Sequence, residues 1–341
     1  MVRLGSALSG IALALAVAPS AEACTTFLVG DTVGKCYDWS MGQGMVVLNP
    51  RGLAKAALPM APDDRPARWT AEHASITFNQ YGRELPNGGM NDAGLVVEVM
   101  WLDETSLPPA DARSTVNELQ WIQWALDRWG TVKELVAHAE EIRVSRVSGR
   151  VHYLACDKSH ACAAFEYVGG KLVVSQGAGL LAPVLTNNTY ADSSAALQRH
   201  QGFGGAEGIP TGAGSLDRFV RAASMVRAGA PARKILESVR NRSSQWEIVY
   251  DLAHLNVSWQ TRGIPSLKEI HFGKLAAGCD QPVKMIDMDA PLAGDVTDRL
   301  VTYTQAADRA LVEKSLARMK LPEGTATRVA EYPDRLVCAA R

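Results

Sequence analysis

The first 23 residues constrain how the rest of the chain can be read. They contain one basic residue, Arg3, then an apolar stretch from Leu4 to about Ala18, and they end in Ala21-Glu22-Ala23. A basic start, an apolar run and a small-x-small terminus are the marks of a secretory signal peptide. The apolar run is short of the roughly 20 residues that a membrane span needs. Cleavage between Ala23 and Cys24 is therefore expected, leaving residues 24–341 as one domain in an oxidising, periplasmic or secreted location. A lipoprotein signal is the competing reading, since it also ends at a cysteine. That signal wants a Leu-like residue three before the cysteine and small residues between, and Glu22 does not fit it.

Cleavage would put a thiol and a primary amine on one residue. A free thiol has a pKa of about 8.5, so only ~3% is thiolate at pH 7, while an α-amine with a pKa of about 7.7–8.0 can accept the proton. Nucleophile and base then share Cys24, as they do in threonine enzymes that use their own terminal amine. This chemistry needs no histidine, and none of the seven lies in an H-E-x-x-H pattern or a recognisable triad motif. Composition narrows the partners. Lys+Arg 35 against Asp+Glu 36 leaves a formal charge of −1, without the basic excess that nucleic acid demands. The 47% hydrophobic content is ample for a core. After the leader, no stretch is long and apolar enough to cross a bilayer.

Sequence patterning places strands at 25–30, 35–40, 45–48, 75–78 and 95–102, the last two flanking Pro86-Asn87-Gly88-Gly89, and a loop over 53–72. The spacing of Leu119, Ile122, Leu126 and Trp129 predicts a helix over 115–129, opened by a Thr115/Glu118 capping box; its tryptophans read as core. Gly130 ends it, and Thr131 with Glu134 opens a second helix through Glu141. A hairpin is expected from 151–156 and 162–168, with a third strand at 171–175. The glycine-rich stretch 201–214 reads as a mobile loop, because no Gly-Lys-Ser/Thr follows to make a phosphate cradle. Helices are expected at 215–227, 232–240 and near 306–319, and an antiparallel pair at 246–251 and 257–261. Strand clusters alternating with helix pairs suggest stacked sheets covered by helices.

Six segments then carry a resemblance. Cys24-Thr25-Thr26-Phe27, GKCYDW at 34–39, NGGMNDAGL at 87–95, LTNNTY at 185–190, SLDRFVRA at 215–222 and QWEIVYDL at 245–252 resemble, in order, the choloylglycine hydrolase family of penicillin V acylases and bile salt hydrolases. The resemblance implies an α+β fold, the four-layer αββα sandwich of the N-terminal nucleophile hydrolases, and hydrolysis of a small-molecule linear amide through a thioester, with no cofactor or metal. It implies that Cys24 is the nucleophile, that Asp38 orients the amine, that Asn187 donates to the oxyanion and that Arg218 lies near the nucleophile. Members of the family often form tetramers.

Two positions depart from the pattern. Lys35 stands where many members have arginine, keeping the charge without the rigid fork. Trp101 stands where bile salt hydrolases carry a second oxyanion-hole asparagine, so the backbone N–H near Trp101 is expected to serve instead. Its indole, with Trp39, is expected to line the acyl pocket, along with the loop after Gly202. This departure looks like the Gram-negative branch, whose members include enzymes acting on acyl-homoserine lactones or penicillin V. Arg218 and Lys35 are expected to favour the thiolate; a pKa lower by ~1 unit would raise its fraction from ~3% to ~25% at pH 7.

Cys156 and Cys162 could face each other across the predicted hairpin, and Cys279 and Cys338 could tie down the C-terminal segment, leaving Cys36 reduced. Zinc held by Cys156, His160 and Cys162 lacks a fourth ligand. Two readings compete with the hydrolase: an acyltransferase using the same thioester, and a lipid-anchored or secreted binding protein modified at Cys24.

Overall fold

The computed structural model of the chain describes residues 24–145, 149–319 and 321–339; the expected leader lies outside them. Two sheets stack face to face. The first has seven strands in the order Val184–Leu185, Thr25–Val29, Thr32–Asp38, Ser244–Asp251, Asn256–Thr261, Lys268–His271 and Gly294–Asp295. The second has nine, in the order Lys171–Gln176, Cys162–Val168, Val151–Cys156, Val96–Trp101, Pro86–Asn91, Ser75–Asn79, Met45–Asn49, Lys284–Asp287 and Val301–Thr302. All pairings in the second sheet are antiparallel, and in the first only Lys268–His271 with Gly294–Asp295 is parallel.

Strand alternation separates the layers. Val96 and Met100 point into the core shared with Phe27 and Val33 of the first sheet. Leu95, Val97 and Val99 point to the other face, where they meet Trp121 and Leu126. That outer face is covered by α1 (Gln120–Arg128) and α2 (Val132–His138), while α3 (Tyr190–Leu197), α4 (Ser215–Arg227) and α5 (Ala232–Val239) belong to the layer over the first sheet. The result is the αββα sandwich. Two further helices, α6 (Gln305–Leu316) and α7 (Thr325–Glu331), pack on each other at one end. Among the described residues, no helix is long and apolar enough to cross a membrane.

Local patterns succeeded where no distant strand competed. The Thr131/Glu134 capping box is present at α2, and α4 occupies the expected span. The Thr115/Glu118 box is not. Ser114–Asn117 is a strand paired with Ile142–Ser145, the Thr115 hydroxyl accepts from Arg65 N–H, and Asn117 Oδ1 accepts from Leu119 and Gln120 N–H instead. The helix thus begins at Gln120. Residues 53–72 are not all loop, since Leu53–Ala56 pairs with Arg68–Thr70. Pro86–Asn91, between the two expected strands, is itself a central strand. Its glycines are packing residues: a Cβ at Gly88 would lie 2.3 Å from the Glu98 carboxyl carbon, and one at Gly89 2.5 Å from the Ile76 carbonyl oxygen.

Both expected disulfides are present, Cys156–Cys162 and Cys279–Cys338, and Cys36 is reduced and buried. The first bond consumes the two thiolates that a zinc site would need.

Candidate active site

Cys24 stands immediately before the first strand, 3% exposed, and its Sγ donates to the main-chain carbonyl of Asp38 at 3.8 Å. The hairpin register that pairs Thr25 with Cys36 carries Cys24 to the end of Thr32–Asp38, which explains how residues 14 apart meet. Arg218 arrives from the first turn of α4. It is wholly buried, so it is not a surface helix charge. Its Nη1 donates to the Cys24 carbonyl at 2.8 Å and to Thr25 Oγ1 at 2.6 Å, its Nη2 to Asn187 Oδ1 at 3.0 Å, and its Nε to the Ala213 carbonyl at 3.1 Å. The planar fork therefore joins Cys24 to Asn187. Asn187 Nδ2 in turn donates to the Trp101 carbonyl at 2.9 Å.

Asp38 is also fully buried, and its carboxylate bonds side chains from another segment. One carboxylate oxygen accepts from the Ser244 hydroxyl and from Cys36 Sγ, the other from Asn241 Nδ2 at 2.7 Å. Burial raises its pKa, opposed by the Ser244 hydrogen bond and the Arg218 charge. Lys35 turns inward between the sheets, 1% exposed, donating to the Val99 carbonyl and pairing with Glu98 at 3.5 Å. Its charge is the strongest influence lowering the Cys24 pKa, with Arg218 adding a smaller one. Burial nevertheless wins, and the thiol is pushed up from its ordinary value. The direction is thus opposite to the expected net lowering, and burial is its cause.

Cys24 opens onto a cavity of about 290 Å³. Tyr37, Trp39 and Trp101 form its aromatic side, with the Trp39 and Trp101 rings 5.8 Å apart. The glycine-rich 201–214 loop contributes nothing to the cavity wall among the described residues, contrary to expectation. The far wall comes instead from α6, α7 and the segment between them, through Leu316, Met319 and Val329, and from Tyr81 and Leu85. No motif announces these residues; an apolar stripe on a C-terminal helix reads from sequence as ordinary core.

Sequence reasoning also passed over His152 and the Asn241/Ser244 pair. His152, fully buried, has Nδ1 at 2.8 Å from Glu166 Oε1 and donates from Nε2 to the Thr186 carbonyl at 2.8 Å. Glu166 also accepts from Tyr190 N–H at the start of α3. Both ends of the short segment carrying Asn187 are thereby pinned to the second sheet.

Two facing antiparallel sheets between helical layers, with a buried cysteine leading the first strand, define the N-terminal nucleophile hydrolase fold. Comparison with known proteins narrows this. No protein-family model matches the chain. Penicillin V acylase of Pectobacterium atrosepticum is 26% identical over 272 residues, covering 72% of this chain and 70% of that protein. The structure of penicillin V acylase from Agrobacterium tumefaciens superposes with a TM-score of 0.71 at 23% identity, covering 83% of this chain and 98% of the other. A variant of conjugated bile acid hydrolase from Clostridium perfringens shares the fold at a TM-score of 0.62 and 15% identity, covering 77% and 96%. The chain is thus similar in sequence to a penicillin V acylase, and it shares the fold of penicillin V acylase and of conjugated bile acid hydrolase.

Proposed function

We propose that the chain is exported to the periplasm or beyond, trimmed to Cys24, and hydrolyses the linear amide of an N-acyl substrate with an apolar acyl group, such as penicillin V or an acyl-homoserine lactone. The observation that supports this most is the Arg218 bridge, which ties the Cys24 main chain to Asn187 beside an apolar cavity. Trp39 and Trp101 receive the acyl group, and the amide carbonyl comes to rest near Cys24 Sγ. The amine freed by trimming takes the thiol proton as sulfur attacks. An asparagine amide has two hydrogens. The one not given to the Trp101 carbonyl, with a backbone N–H near Trp101, stabilises the tetrahedral oxyanion, and a donor of this kind is worth on the order of 3 kcal/mol. The ammonium then protonates the leaving nitrogen as the C–N bond breaks. Water cleaves the thioester, releasing the carboxylic acid and restoring the thiol.

The test is a hydrolysis panel of penicillin V, conjugated bile salts, acyl-homoserine lactones and N-acyl amino acids, run on wild type and Cys24→Ser. Apolar-acyl amides should be turned over by wild type, with most activity lost in a folded serine variant. Full turnover by that variant would remove Cys24 from the mechanism.

A further inference from the structure

A second cavity, of about 300 Å³, lies behind the Cys24 site and differs from it in chemistry. Its walls carry Arg240, Arg242 and Arg262, with Glu247 as the one acidic residue. Arg240 is committed to Glu247, whose other oxygen accepts from Gln260. Among the described residues, no carboxylate pairs with Arg242 or Arg262. Arg262 instead donates from Nη1 to the Arg242 main-chain carbonyl at 2.8 Å, which holds the two residues together at the rim. The cavity is thus lined by two arginines that have no carboxylate partner among the described residues, a lining that suits a small anionic head.

The walls of the two cavities touch. Asn241 and Ser244, which line the second cavity, hold the Asp38 carboxylate. Gln245 donates from Nε2 to the Trp39 carbonyl at 2.9 Å. Trp246 stacks on Tyr37 with centroids 4.3 Å apart. Four wall residues of the second cavity therefore each touch one of three consecutive residues, Tyr37, Asp38 and Trp39, that serve the first.

We propose that this arginine-lined cavity is a second binding site for a small carboxylate or phosphate anion, and that its occupancy alters turnover at Cys24 through the segment 241–246. The bound anion neutralises the Arg242 and Arg262 charges and orders the side chains beside Asn241 and Ser244. Any preference it has for one arrangement of that segment is passed to Asp38 and Trp39, and by linkage the acyl substrate alters anion affinity by the same factor.

Isothermal titration of the trimmed wild-type protein with sodium phosphate and, separately, sodium acetate, at ionic strength held constant with sodium chloride, tests binding without relying on hydrolysis. One saturable site for at least one anion is expected, weakened roughly tenfold or more in R242Q/R262Q, since both arginine charges are removed. The phosphate and acetate arms show which head group the cavity takes. Both substituted residues are exposed, so the fold should persist. Hydrolysis of the best panel substrate should shift in KM or kcat with the binding anion in wild type and not in the double variant. No saturable binding, or binding unchanged in R242Q/R262Q, overturns the site. Specific binding with unchanged kinetics overturns the coupling and leaves the hydrolase reading untouched.

Discussion

Replacing Arg218 by lysine separates charge from geometry at the centre of the site. Arginine here donates to four acceptors on three segments: the Cys24 carbonyl and Thr25 Oγ1, Asn187 Oδ1, and the Ala213 carbonyl. An ammonium offers three donors from a single point and cannot span Thr25 and Asn187 together. Arg218→Lys keeps the positive charge opposite the buried Asp38, so the folded state survives, but at least two charge-assisted hydrogen bonds are lost. At about 1.5–3 kcal/mol each, the gross loss is roughly 3–6 kcal/mol. Asn187 is only half-buried, and rehydration of its carbonyl brings the stability cost toward the lower end. The catalytic cost follows from Asn187 itself. If its amide no longer points at the oxyanion, about 3 kcal/mol of transition-state stabilisation goes, a fall of about 10²-fold in kcat. KM should change little, because Arg218 does not line the acyl cavity. Initial rates on the best panel substrate, paired with thermal melting, measure both effects. A folded Arg218→Lys protein with wild-type kcat would refute the reasoning, since the fork would then not be what places Asn187.

Two further outcomes follow from buried charge and chain connectivity. Burial pushes Glu98 up to about 7 from 4.5, against the pull of Lys35. The folded state therefore holds a proton that the unfolded chain releases, and stability falls as pH rises through that window. Glutamine does not titrate, so Glu98→Gln should gain on wild type by on the order of 3 kcal/mol between acid and neutral pH, read from urea melts; a pH-independent difference would contradict this. The Cys279–Cys338 bond closes a sequence separation of 59. Its removal in Cys279→Ser/Cys338→Ser should cost about 4 kcal/mol by chain entropy, measured by denaturant unfolding of oxidised wild type against the variant. A loss below about 1 kcal/mol would mean that this segment adds little to the fold.

The sequence was legible where one segment holds its own instructions. The span of α4, the Thr131/Glu134 cap and the closely spaced Cys156–Cys162 pair are all local. Cys24, Asp38, Asn187 and Arg218 were legible as a set only through resemblance, and the structure brings them together through buried contacts. Long-range pairing hid the rest. Ser114–Asn117 looks like a helix start until Ile142–Ser145 lies beside it. Gly88 and Gly89 show no strand pattern of their own until Glu98 and the Ile76 carbonyl occupy the space of their missing Cβ atoms. The cavity wall from α6 and α7 comes from residues more than 290 positions beyond Cys24, and nothing in their pattern distinguishes them from core. The balance at the thiol was also beyond the sequence. Two cations argue for a lowered pKa, and only the depth of burial shows that they are outweighed.

The most direct measurement is to quench the active protein with acid during turnover of the best panel substrate and to map the result by mass spectrometry. The account predicts a polypeptide beginning at Cys24 with an unmodified amine and, in part of the population, the acyl group as a thioester on that same residue. An active protein that still carries Ala23, bears lipid on Cys24, or holds the acyl group elsewhere would contradict it.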